Sequence, residues 1–96
     1  MRKLALASGI CILTLASSVQ ARTTAQIFRA AITDFGASCP LVTDAKAIGE
    51  TDSGDALVAV ACSDGSRHVV KIHKSKTVSY VSSCAVFKSE TGVRCF

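Results

Sequence analysis

In "ACSDGSRHVV", residues 61 to 70, Ser63, Asp64, Ser66 and His68 fall within six residues of one another. Those are the side chains from which a hydrolase assembles a nucleophile, a base and an acid that orients the base. The spacing argues against that chemistry. A triad needs its base within hydrogen-bond reach of the hydroxyl, whereas side chains around a tight turn fan outward, and no Gly-x-Ser-x-Gly elbow is present. Asp64-Gly65 between two apolar runs is instead a strong hairpin signal. The stretch reads as a bend, and no catalytic residue is expected.

The sulfur atoms offer two other chemistries. No Cys-x-x-Cys occurs, so neither a zinc knuckle nor a thioredoxin-type redox site has the spacing it needs. Beyond Cys11 the cysteines are Cys39, Cys62, Cys84 and Cys95, an even number in a short chain, which suggests two disulfides with three possible connectivities. The preferred pairing joins sequence neighbours, Cys39 with Cys62 and Cys84 with Cys95. His68 and His73 stand five apart, on opposite faces of any one strand, and cannot clamp a metal together. Asp44, Glu50, Asp52 and Asp55 lie among Gly and Ser as in a calcium loop, but the alternating ligands and closing Glu of an EF-hand are missing. Neither a metal nor a cofactor is expected.

The cations are the remaining candidates. Arg67, Lys71, Lys74 and Lys76 fall within ten residues, and Arg67, Lys71 and His73 share a strand face by alternation. Such a face is either solvated, or paired with the acidic stretch before it, each salt link contributing at most about 1 kcal/mol. If it recognises something, an anionic partner fits: a glycan, a lipid headgroup or an acidic protein. Aromatic residues for stacking single-stranded nucleic acid are absent from it.

The elements that must hold these groups can be read next. "TTAQIFRAAITDFG" predicts a helix: Thr23 and Gln26 form a capping box, Ile27, Phe28, Ala31 and Phe35 an apolar stripe, Gly36 a C-terminal stop. "LVTDAKAIGETDSGD", residues 41 to 55, reads as an acidic loop with one short helical turn at "TDAKAI". "ALVAVAC", "RHVVKIHK" and "KTVSYVSSC" read as three antiparallel strands. A two-residue Asp64-Gly65 turn pairs Cys62 with Arg67, Ala61 with His68 and Ala59 with Val70, and leaves His68 half-buried beside Ala61. "SSCAVFKSETGVRCF" ends the chain as a short helix from Ser83 to Glu90, stopped by Gly92. The fold class is α+β: an N-terminal helix on a three-stranded antiparallel meander, stapled by disulfides, with a short C-terminal helix or tail.

Residues 1–21 carry the pattern of an export signal: Arg2 and Lys3, the apolar run "LALASGICILTLA", then "SSVQA" with Val19 and Ala21 before the cut. Thirteen residues are too few for a membrane anchor, which needs about 18 to 20. Cys11 follows Ile10 instead of a small residue, which argues against lipidation there. Cleavage leaves one small domain, residues 22–96, with nine bases against seven acids, a net charge of +2. That is too weak to argue for nucleic acid. Export into an oxidising compartment, periplasmic or extracellular, explains the paired cysteines, and a domain this small needs such staples.

Two stretches, "IGETDSGDALVAVACSDGSRHVVKI" and "VSSCAVFKSETGVRCF", resemble small exported proteins of Gram-negative bacteria with no assigned function; the resemblance spans about 58 residues from Cys39 onward. It implies a location and a fold, and no activity. The segment from Cys62 to Ile72 is also similar to periplasmic lysozyme inhibitors of the membrane-bound C-type class. Their Ser-Gly-x-x-Tyr type inhibitory segment has no counterpart here, since the one tyrosine, Tyr80, sits in "TVSYVSS". The expected function is a non-enzymatic binding module, its partner an unknown protein or an anionic envelope component, with Arg67, Lys71 and His73 as the binding face. The alternative is an inhibitor or effector acting on a cell-wall hydrolase or other extracytoplasmic enzyme.

Overall fold

The computed structural model describes residues 23–96; the expected export signal, residues 1–21, lies outside them. Helix α1 (Thr24–Phe35) leads into four strands, β1 (Val42–Glu50), β2 (Ala56–Cys62), β3 (Arg67–Ile72) and β4 (Val78–Ser83), followed by helix α2 (Cys84–Thr91). The strands form one antiparallel sheet in the order β1-β2-β3-β4. Helix α1 packs on one face of the sheet and α2 on the other. Among the described residues no helix is long and apolar enough to cross a membrane.

The caps of α1 follow from its first and last residues. Thr23 accepts from the Gln26 backbone N–H, and the Gln26 side chain accepts from the Thr23 N–H, which satisfies two of the orphan donors of the first turn. The buried stripe is Phe28 and Ile32, one turn apart, rather than the wider set expected from the sequence. Ile27 and Phe35 are exposed, and Phe35 stacks on Tyr80 at 4.3 Å between ring centroids. The sheet reaches only one narrow strip of the helix, which selects the i, i+4 pair nearest its centre.

The three expected strands are four. The stretch expected to be an acidic loop with a helical turn contains β1, paired along its length with β2. Seven of its nine residues are exposed, so no period-two alternation marks it. Its partner is the β2 backbone, and sheet pairing wins over the helical propensity of "TDAKAI" because the apolar neighbour supplies a ready ladder. The register shifts between Val42 and Asp44 and between Ala47 and Gly49, irregularities of the kind that discourage pairing at a free edge.

One loop design joins all the strands. At Cys62–Ser66 the Gly65 N–H donates to the Cys62 carbonyl and the Cys62 N–H to the Ser66 carbonyl, a three-residue loop ending in a bulge. The same pair of bonds recurs at Thr51–Asp55 and at His73–Thr77. The position before the last residue is left-handed in each case: Gly54 at φ 90°, Gly65 at φ 87° and Lys76 at φ 77°. Glycine takes that conformation without a Cβ penalty, whereas Lys76 adopts it against its steric preference.

This loop corrects the expected register. With Ser63 inside the loop, Ala61 faces Arg67, Val60 faces His68, Ala59 faces Val69 and Val58 faces Val70. A slip of one residue exchanges faces. Val58, Val60, Cys62, His68 and Val70 therefore share the α1 side, where the valines and Cys62 form a core with Phe28, Ile32 and Cys39. Ala59 and Val69 lie on the α2 side with Phe87 and Cys95. His68 is buried opposite Val60, not half-buried beside Ala61.

Candidate functional site

The disulfides join Cys39 to Cys62 and Cys84 to Cys95. Each sits beside one of two polar clusters, one at the Asp-Gly bend and one at the start of α2.

At the bend, Asp64 accepts from the Ser66 N–H at 3.0 Å, the Ser66 hydroxyl at 2.5 Å and the Ser38 hydroxyl at 2.8 Å. The His68 imidazole bridges inward. Its Nε2 lies 3.2 Å from the Ser38 carbonyl and 3.0 Å from Ser66 Oγ, and its Nδ1 lies 2.9 Å from the Tyr80 hydroxyl. A carbonyl can only accept, so Nε2 carries the hydrogen that faces Ser38 and Ser66. Activating a serine needs the reverse, a bare nitrogen facing the hydroxyl. Ser38, Asp64, Ser66, His68 and Tyr80 instead brace the Cys39–Cys62 bridge against the sheet. Burial pushes the Tyr80 phenol above its ordinary value.

The hydrogen bonds to Asp64 have a pH signature. Ser66, first through its hydroxyl and then its N–H, and next the Ser38 hydroxyl, hold this exposed carboxyl down to about 2, against its usual 3.8. The folded chain thus binds that proton less readily than the unfolded chain. The stabilisation is whole above pH 3.8 and is lost as the pH falls toward 2. Asp64→Asn is expected to flatten the acid limb of stability between pH 4 and 2, read by thermal unfolding in that range; an unchanged limb would refute the assignment.

The basic face is divided. Arg67, Lys71 and His73 fall on the α2 side of β3, but the strand spaces Arg67 and His73 roughly 20 Å apart. His73 is engaged: its Nε2 bonds Ser79 Oγ at 2.8 Å and its Nδ1 lies 3.6 Å from Asp55. Lys71 is half-buried between the two ends. Arg67 belongs to a different group. Its guanidinium carbon lies 5.4 Å from the centre of the Phe96 ring. It lines an open cleft of about 220 Å³ together with Lys88 of α2 and Arg94 of the C-terminal segment. Cys84, Ala85, Cys95 and Phe96 complete the walls.

Sequence reasoning did not reach Lys88 and Arg94. The signal was present in the tail: Lys88 is one helical turn beyond Cys84, and Arg94 precedes Cys95, so closing that disulfide gathers both. Their proximity to Arg67 needed the sheet, where His68 pairs with Ser83 and sets the start of α2 beside the start of β3.

The electrostatics of the cleft are one-sided. All seven Asp and Glu side chains of the chain lie among the described residues, and the one close basic–acidic contact found there, His73 with Asp55 at 3.6 Å, is elsewhere. Arg67, Lys88 and Arg94 thus have no carboxylate partner within 4.0 Å among the described residues. The first turn of α2, capped by Ser83 through the Val86 N–H, adds the positive end of a helix. Also among the described residues, no three His, Cys, Asp or Glu side chains are grouped so as to hold a metal ion.

Fold and site together define a class: a small disulfide-braced sheet with a helix on each face and a basic cleft beside one bridge. No family model matches the chain, and neither a curated protein nor a solved structure matches it.

Proposed function

We propose that the chain is a small exported, non-enzymatic binding module that docks an anionic component of the cell envelope on its α2 face. The observation that carries this reading is that Arg67, Lys88 and Arg94 line one cleft with no Asp or Glu side chain within 4.0 Å of them among the described residues. Unpaired like charges repel one another, so their gathering has a cost that a bound anion offsets. Lys71 extends the same field along β3, while His73, tied to Ser79 and Asp55, serves the framework. The two disulfides suit an oxidising compartment.

The test uses the purified, oxidised protein on an immobilised polyanion, heparin in one arm and oligoglutamate in the other. Wild type is retained at low salt and released as salt rises. Arg67→Glu with Lys71→Glu abolishes retention while the unfolding free energy moves by less than about 1 kcal/mol, because neither residue belongs to the buried core. Unchanged retention in that variant removes the face from the proposal. Retention by oligoglutamate alone turns the reading toward an acidic protein, and stoichiometric inhibition of lysozyme by the same preparation would replace it with the inhibitor class.

A further inference from the structure

We infer that the cleft between Arg67, Lys88 and Arg94 is a receptor for a phosphate monoester, assembled by the Cys84–Cys95 disulfide. The inference rests on the binding-module reading and gives that face a ligand chemistry.

Three cations reach the cleft from three separate pieces of chain: β3, the second turn of α2, and the segment after Gly92. A carboxylate has two oxygens and one charge. A phosphate monoester presents three terminal oxygens and close to two negative charges at neutral pH, one oxygen for each cation. Guanidinium groups hold such oxygens in a planar fork, and the ammonium adds a point charge. Cys84 and Ala85, the first residues of α2, form part of the wall, so the positive end of the helix borders the same space. A phosphodiester, with one charge and two free oxygens, matches less well, which separates this ligand from nucleic-acid backbone. The cleft is open and larger than one phosphate group, so it leaves room for the adjoining part of the ligand against the Phe96 ring.

The bridge sets the geometry. Cys95 is buried against Ala59, Val69 and Phe87, and its link to Cys84 places Arg94 and Phe96 on either side of an anchored point. The cation–π contact between Arg67 and Phe96 in turn holds the guanidinium over the cleft. Without the bridge the C-terminal segment is joined to α2 only through the peptide chain at Gly92, and one of the three cations is no longer held in place.

Amide chemical-shift titrations at constant ionic strength test this. Inorganic phosphate is expected to give saturable shifts at Cys84, Ala85 and the Arg67 and Arg94 signals, whereas acetate gives none. Vesicles containing phosphatidate, a monoester, should bind more tightly than vesicles with the same mole fraction of phosphatidylglycerol, a diester. Phosphate shifts with no preference between vesicles assign a soluble ligand, and a phosphatidate preference assigns a lipid headgroup. Lys88→Gln with Arg94→Gln should weaken phosphate about tenfold or more, the size expected for losing two charge-assisted contacts. Cys84→Ser with Cys95→Ser should abolish the titration while Cys39–Cys62 preserves the sheet, checked by circular dichroism. The absence of saturable phosphate shifts, equal shifts with acetate, or full affinity in the Lys88/Arg94 variant would overturn the phosphate site. Full affinity in the serine variant would remove the role of the bridge. If polyanion retention persists through these failures, the binding-module reading stands and only its ligand chemistry falls.

Discussion

Replacing Cys39 and Cys62 together by alanine lowers the unfolding free energy by about 3 kcal/mol or more, a large share of what a small domain has. The bridge closes a loop of 23 residues in sequence separation, and opening it restores that much chain entropy to the unfolded state. A packing loss adds to this, since Cys39 and Cys62 are 2% and 5% exposed and stand in the same cluster as Phe28 and Ile32. The polar node beside the bridge then loses its anchor: Ser38, next to Cys39, is what Asp64, Ser66 and His68 hold on to. Urea unfolding without reductant measures the effect. A change under about 1 kcal/mol would mean that those hydrogen bonds position the bend without the sulfurs.

Ile32→Ala is the second large effect, about 3 kcal/mol of destabilisation. Ile32 is fully buried, and it joins α1 to Val58, Val60 and Val70 across the sheet face. Truncation removes apolar area and leaves a cavity that the β-branched valines, stiff at χ1, cannot fill. Phe35→Ala is the control: 68% exposed and held mainly by its stack on Tyr80, it should lose roughly 1 kcal/mol. Equal losses at the two positions would show that α1 is seated by its margin rather than by the Phe28–Ile32 strip. Both variants leave the basic cleft on the opposite face untouched.

Much of the fold was legible locally. Thr23 with Gln26 marks the start of α1, and Gly36 its end, because capping satisfies backbone groups within three or four residues. Ser83 and Gly92 bound α2 for the same reason. The valine-rich runs mark β2 and β3, whose valines are buried, and β4, whose Val78 and Tyr80 pack partly buried against the core. The strand β1 escaped notice because it lies at the edge: Thr43, Asp44, Ala45, Lys46 and Ala47 are exposed on both sides and carry no burial pattern. The one-residue error at the bend has a different origin. "SDGS" is compatible with a two-residue turn and with a three-residue loop closing on a left-handed Gly65, and the choice belongs to the packing of α1.

The candidate site divides along the same line. Composition and order along the chain suffice for the cysteine count, the Asp-Gly bend, the first helix and the excess of cations on β3, since each depends on short-range chemistry. Three things required the folded sheet: which valines face α1, the burial of His68 between Ser38 and Tyr80, and the meeting of Arg67 with Lys88 and Arg94. Those meetings join residues far apart in sequence, and their geometry is set by strand register and by where a disulfide draws the tail, neither of which is written in any single stretch of residues.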